Sequence, residues 1–197
     1  MMEVNINGDL IDIKGDFINL RDIIEKLMEI ANDNRRLITS ISIDDEPFDQ
    51  ADETSLDLPY RGQNIYVITE ETDKVLEKSV EEGIKHIRES LLAGVKEVAM
   101  EFREGSIPEA SKQLSILVDS FYWLLDLVDF LAKHGIFNDT DIKLNDFQIS
   151  DFVSFLKEMM DSQESRDFVL VSDLLEYEIY PLLEKWLELF GHVKEIV

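Results

Sequence analysis

The feature that most constrains this chain is a change in the spacing of its apolar residues near Thr72. Before that point, short segments alternate apolar and polar residues, as around Val4 and Ile6, and a period of two is typical of half-buried strands. After it, apolar residues recur every three or four positions, which is typical of amphipathic helices. We therefore predict an α+β protein with two domains, residues 1–71 and 72–197.

The first domain begins with a hairpin signal. MEVNI and DLIDIK flank the pair Asn7-Gly8, and Asn-Gly tolerates the positive φ angles of a type I′ turn. Apolar residues at helical spacing then predict an amphipathic helix over residues 17–34, with Asp16 as its N-cap.

Two further strands follow that helix. LITSISI, residues 37–43, is rich in β-branched residues, and NIYVIT occupies residues 64–69. The polar segment between them contains Pro47, Pro59 and Gly62, which predicts a long loop with room for one short strand.

This order of hairpin, helix, strand, loop and strand resembles the β-grasp (ubiquitin-like) fold. SISIDDEPF is similar to the third strand and turn of the small sulfur-carrier modules, and YRGQNIYVI to their last strand. Those modules end in a free Gly-Gly whose carboxylate is adenylated, whereas here Thr69 continues into EETDKVLEK without a Gly-Gly. The resemblance covers about the first 70 residues; it implies a binding or packing module and not a carrier activity.

The second domain is predicted to be an all-α bundle of about four helices. The first helix begins at Thr72 or Asp73 and is closed by Gly105. Gly83 and Gly94 border its apolar stripe and would let another helix approach closely.

Three more helices complete this prediction. The second helix, 108–133, begins at Pro108 and ends at His134-Gly135. Ser150 is the predicted cap of a short third helix, and the last helix covers residues 164–191.

Helix 108–133 carries two apolar stripes. The main one contains Leu114, Leu117, Phe121, Leu124, Val128 and Leu131, and the second contains Ile116, Trp123, Leu127 and Phe130. A helix that is apolar over so wide an arc is covered on more than one side. The second stripe is either buried within the monomer or exposed for a homodimer or another partner.

The segment DLLEYEIYPLLEKW places a proline inside the last helix. Its apolar residues keep their phase across Pro181, which predicts one bent helix, with the carbonyl of Tyr177 lacking its usual donor. Tyr177 and Tyr180 point away from the apolar stripe, so both are candidates for contact with a partner. The glutamates of this segment diverge around the helix, which disfavours an acid/base pair.

Charge and composition exclude several classes of function. The net charge is −24, and both parts are acidic, with 6 Lys+Arg against 17 Asp+Glu up to Thr72 and 13 against 26 after it. Coulomb repulsion then disfavours nucleic acid and anionic membranes as partners. The chain has no cysteine, no secretory signal at its N-terminus and no apolar run long enough to span a membrane, so we expect a cytoplasmic protein.

No motif in the sequence predicts catalysis, a metal or a cofactor. Glu82 lies four residues before His86, where a di-iron bundle needs three. FNDTDIKLNDF offers Asp139, Asp141 and Asp146 but lacks the glycine and final glutamate of a calcium loop. His134 and His192 adjoin glycines at predicted helix ends, where favourable interaction with the helix dipole accounts for them.

We therefore predict a non-catalytic protein-interaction or adaptor protein. Its partner is another protein or a second copy of the chain. The predicted contact residues are Ile116, Trp123, Leu127, Phe130, Tyr177 and Tyr180. Two alternatives remain open: a ligand-binding or enzymatic bundle with a pocket between the bundle and the β-grasp module, and an acidic mimic that binds a basic protein.

Overall fold

A computed structural model describes residues 2–49, 52–138 and 141–196. The chain is α+β, as predicted, and divides into two compact units, Met1–Val75 and Leu76–Val197. The first unit contains a five-stranded mixed sheet and the second is helical.

The sheet of the first unit has the strand order β2-β1-β5-β3-β4. Its strands are β1 (Met2–Ile6), β2 (Asp9–Ile13), β3 (Arg36–Ile43), β4 (Glu46–Pro47) and β5 (Ile65–Glu71). β1 and β5 run parallel at the centre, and the other neighbouring pairs are antiparallel. The predicted hairpin is confirmed, with φ of 55° at Asn7 and 97° at Gly8.

One helix, α1 (Leu20–Asp33), packs its apolar face on the sheet. The predicted cap at Asp16 is wrong, because Asn19 caps α1 in a capping box with Asp22. A short helix, α2 (Glu53–Leu56), lies in the long loop and adds Leu56 to the core.

The first helical rod of the bundle is continuous from Thr72 to Glu104. It consists of α3 (Thr72–His86), a π-helical segment (Ile87–Leu91) and α4 (Leu92–Glu104). In the π-helical segment the amide of Leu92 donates to the carbonyl of Ile87, five residues back. Gly105 ends the rod in a left-handed conformation, as predicted.

The next two helices are α5 (Ile107–Lys133) and α6 (Ile149–Glu164). Pro108 lies in the first turn of α5 and His134 caps its end, as predicted. The predicted cap at Ser150 is wrong, because α6 already begins at Ile149 after Gln148.

The last rod joins α7 (Phe168–Asp173), a second π-helical segment (Leu174–Ile179) and α8 (Tyr180–Lys194). At the position where the sequence predicts a bend, the helix has a hydrogen bond that spans five residues. The amide of Tyr180 donates to the carbonyl of Leu175, just before Pro181. Pro181 itself is exposed.

The second unit has a hydrophobic core of its own. Trp186, Phe121, Phe152 and Phe190 are fully buried in it. The indole nitrogen of Trp186 donates to the carbonyl oxygen of Phe147 at 2.6 Å, so this buried polar group is paired.

The helix count differs slightly from the prediction. Among the described residues the bundle has six α-helices, but they form four rods because two of the rods contain a π-helical segment. Within the same residues, no helix has both the length and the apolar character that crossing a membrane requires.

Candidate functional site

The candidate site lies where the first rod of the bundle packs against α5. The two run antiparallel and approach closely at two glycines of the rod. A Cβ atom on Gly83 would lie 2.7 Å from Cδ2 of Leu127, and one on Gly94 would lie 3.0 Å from Cδ2 of Leu117. The close approach that the sequence predicts at these glycines is therefore present.

Between the two glycine contacts the helices enclose an open groove of about 510 Å³. We call it the Trp123 groove. The rod and α5 each form one wall, and the groove is lined by Glu82, Lys85, His86, Glu89, Ser90, Ile116, Asp119, Ser120 and Trp123. Glu89 and Ser90 belong to the π-helical segment, and such segments are frequent at functional sites.

Two large apolar side chains of the α5 wall are exposed in the groove. Ile116 is 60% exposed and Trp123 is 40% exposed. The ring of His86 meets the Trp123 ring edge-on, with 5.0 Å between the ring centroids. Partial burial lowers the pKa of His86, so the neutral imidazole, an uncharged aromatic surface, predominates at pH 7.

Four charged side chains line the groove. Glu82, Glu89 and Asp119 contribute carboxylates and Lys85 contributes one ammonium group, and none of the four forms a salt bridge within the part of the chain that the structure describes. All four are exposed. The groove therefore combines an apolar, aromatic surface with an excess of free negative charge.

The second stripe of α5 is divided between two environments. Ile116 and Trp123 line the groove, but Leu127 is buried against Gly83. Phe130 is half-buried and packs on His134, with 4.5 Å between the ring centroids. The predicted set of contact residues is therefore not one continuous surface.

The two predicted tyrosines line neither wall of the Trp123 groove. Tyr177 is 61% exposed and lies beside Arg103, which is hydrogen-bonded to Asp173 and Glu176. These hydrogen bonds raise the pKa of Arg103.

Tyr180 is half-buried and packs against the hydrophobic core. The Nζ atom of Lys96 lies 4.2 Å from the centroid of the Tyr180 ring. One ring face of Tyr180 is thus already occupied by a cation of its own chain.

Seven of the nine groove residues are not among the predicted contact residues. Glu82, His86 and Glu89 lie on one side of the rod. In the sequence, the spacing of Glu82 and His86 suggests comparison with a metal site only. The signal was the pair Gly83 and Gly94, which predicts the approach of another helix beside these residues.

The structure describes part of the segment FNDTDIKLNDF, whose sequence is compared above with a calcium loop. Asp139 lies outside the described residues. The carboxylate of Asp146 accepts a hydrogen bond of 2.7 Å from the amide of Lys143, so it caps a short 3₁₀ turn. Within the described ranges, no three His, Cys, Asp or Glu side chains are grouped so that they could hold a metal ion.

Comparison with known proteins identifies a family but no function. The family described as "Domain of unknown function (DUF8042)" matches residues 80–189, which is more than half of the chain and includes every residue of the groove. A second, described as "Domain of unknown function (DUF8043)", matches residues 3–56. No curated protein and no solved structure matches the chain.

Proposed function

We propose that this protein, which belongs to the DUF8042 family, is a non-catalytic interaction module whose Trp123 groove binds a segment of another protein. The observation that carries the proposal is the pair Ile116 and Trp123, both exposed within a concave surface. Aromatic side chains in such pockets are the residues that most often dominate the free energy of protein association.

The packing around the groove favours a preformed site. The tight contacts at Gly83 and Gly94 hold the two walls in place, and His86 supports the Trp123 ring from the side. A side chain that is already oriented loses little conformational entropy on binding. The partner therefore gains apolar contact while the groove loses little conformational entropy.

The charge of the chain favours a different protein over a second copy as the partner. The net charge is −24, and two copies meeting groove to groove would bring their free carboxylates together. Like charges facing each other across an interface oppose association.

A peptide selection tests this function. A random peptide library is displayed on phage and selected on the full-length protein, and enriched peptides are then measured against Trp123→Ala and Trp123→Asp. We expect both variants to bind at least about tenfold more weakly, because a buried aromatic anchor commonly contributes more than about 1.4 kcal/mol.

Tyr122→Asp is the matched control. Tyr122 precedes Trp123 on the same helix and is 50% exposed, but it does not line the groove. Circular dichroism verifies that all variants are folded, and Trp186, which is fully buried, gives a fluorescence signal of the intact core. Equal binding of the enriched peptides to wild type and both Trp123 variants would refute the proposed function.

A further inference from the structure

Assuming the proposed function, we infer that the segment bound in the Trp123 groove is a short helix with an apolar anchor flanked on both sides by arginine or lysine. The shape of the groove and the position of its charges both favour such a partner.

The walls of the groove favour a helical ligand. Both walls are helices, whose main-chain groups are paired within each helix and offer no edge for an added strand. A bound peptide must therefore satisfy its own backbone hydrogen bonds, as a helix does. Residues 82–90 span about 12 Å at 1.5 Å per residue, which is room for about two helical turns.

The charges favour a basic ligand. Glu82 and Glu89 lie on the wall formed by the rod, and Asp119 lies on the α5 wall. Lys85 adds a single positive charge against these three carboxylates, and none of the three has an ion-pair partner among the described residues. A helix seated on Ile116 and Trp123 would thus have acidic groups along both of its edges.

The aromatic surface strengthens this preference. An arginine or lysine stem can lie along Ile116 while its charged end approaches the Trp123 ring, a favourable cation–π arrangement. The ring of Tyr180 already has Lys96 on it, whereas the structure places no cationic side chain of the described residues on Trp123.

The test uses the Trp123-dependent peptides from the phage selection. We expect them to contain arginine or lysine on both sides of an apolar residue. The variant Glu82→Gln/Glu89→Gln/Asp119→Asn should bind them about tenfold more weakly, because three exposed charge pairs are each worth about 0.2–1 kcal/mol. Raising the salt concentration should weaken binding to wild type more than binding to this variant.

The matched control changes the net charge equally outside the groove. Glu77, Glu97 and Glu104 are exposed on the same rod and do not line the groove, so Glu77→Gln/Glu97→Gln/Glu104→Gln should bind the peptides nearly as well as wild type.

The other possible outcomes distinguish failure of the inference from failure of the proposed function. Trp123-dependent peptides that lack basic residues, or that bind the groove variant and the wild type equally, would overturn the inference and leave the proposed function standing. Equal weakening by the control variant would also overturn it, since net charge and not the groove would then be recognised. A selection that yields no Trp123-dependent peptide would overturn both.

Discussion

At the scale of single residues, Gly83 shows how a missing side chain positions the groove. A Cβ atom at this position would lie 2.7 Å from Cδ2 of Leu127, closer than two carbon atoms can approach without displacement. Leu127 is therefore buried, whereas Trp123, one turn earlier on α5, remains exposed. This contact marks one boundary between core and groove.

We predict opposite effects for alanine at two helical glycines. Gly83→Ala should lower the free energy of unfolding by about 1 kcal/mol, because displacing Leu127 costs more than the gain in helix propensity. Gly191→Ala should raise it by about 0.5–1 kcal/mol, since no atom lies within 4 Å of a Cβ there. Urea denaturation measures the free energy of unfolding of both variants. Stabilisation by Gly83→Ala would show that Leu127 can move aside without loss of packing energy.

The exposure of individual residues along the second stripe of α5 could not be predicted from the sequence. Ile116, Trp123, Leu127 and Phe130 share one side of the helix in the sequence pattern. Their exposure differs because the first rod covers one end of the stripe and leaves the other open. Periodicity gives the direction of a side chain from its own helix axis but not what lies opposite.

At the scale of elements, the π-helical segment Ile87–Leu91 lets one rod contribute residues to both the core and the groove. Ile87 and Leu91 are buried, and Glu89 and Ser90 line the groove. The wider turn accommodates one additional residue without rotating the helix before or after it. Buried residues on both sides of the segment can therefore face the same core.

We predict that deletion of Arg88, an exposed residue of this segment, is tolerated. It should convert the segment to regular α-helix and keep the flanking apolar residues in register, at a cost below about 2 kcal/mol. Because Glu89 and Ser90 would be redirected, binding of Trp123-dependent peptides should fall. Chemical denaturation and peptide titration measure the two effects.

Deletion of Glu97 is the matched control within regular α-helix. Glu97 is exposed, but Val98, Ala99 and Phe102 beyond it are buried. Removing one residue there turns these side chains by about 100°, so the expected loss of stability exceeds about 4 kcal/mol. Equal tolerance of both deletions would contradict the role assigned to the π-helical segment.

At the scale of the whole molecule, the two units have separate hydrophobic cores. One core is formed by residues from Met2 to Val67, and the other by residues from Leu76 to Val193. The buried residues of each core belong to a single unit. The family match over residues 80–189 lies within the second unit.

We predict that a fragment of residues 72–197 folds by itself. Its core residues are all present in the fragment, so it should show helical circular dichroism, unfold cooperatively on heating and bind the same Trp123-dependent peptides as the full chain. Loss of cooperative unfolding in the fragment would show that the bundle requires the first unit.

Much of the architecture was predictable because it depends on neighbours in sequence. The positive φ of Asn7 and Gly8, the end of a helix at Gly105 and the start of α5 near Pro108 are local backbone preferences. The errors at Asp16 and Ser150 are also local. Several nearby polar residues can cap a helix, and packing selects the one that does.

The sequence by itself determined the α+β class, the change from strands to helices near Thr72 and the apolar faces of the helices. Only the tertiary structure decided that Trp123 and Ile116 lie in a groove, that Leu127 is buried, and that Glu82, His86 and Glu89 face them. The physical reason is that a hydrophobic period records which side of a helix is apolar. Which part of that side is covered depends on the path of a second helix, and here two glycine contacts define that path.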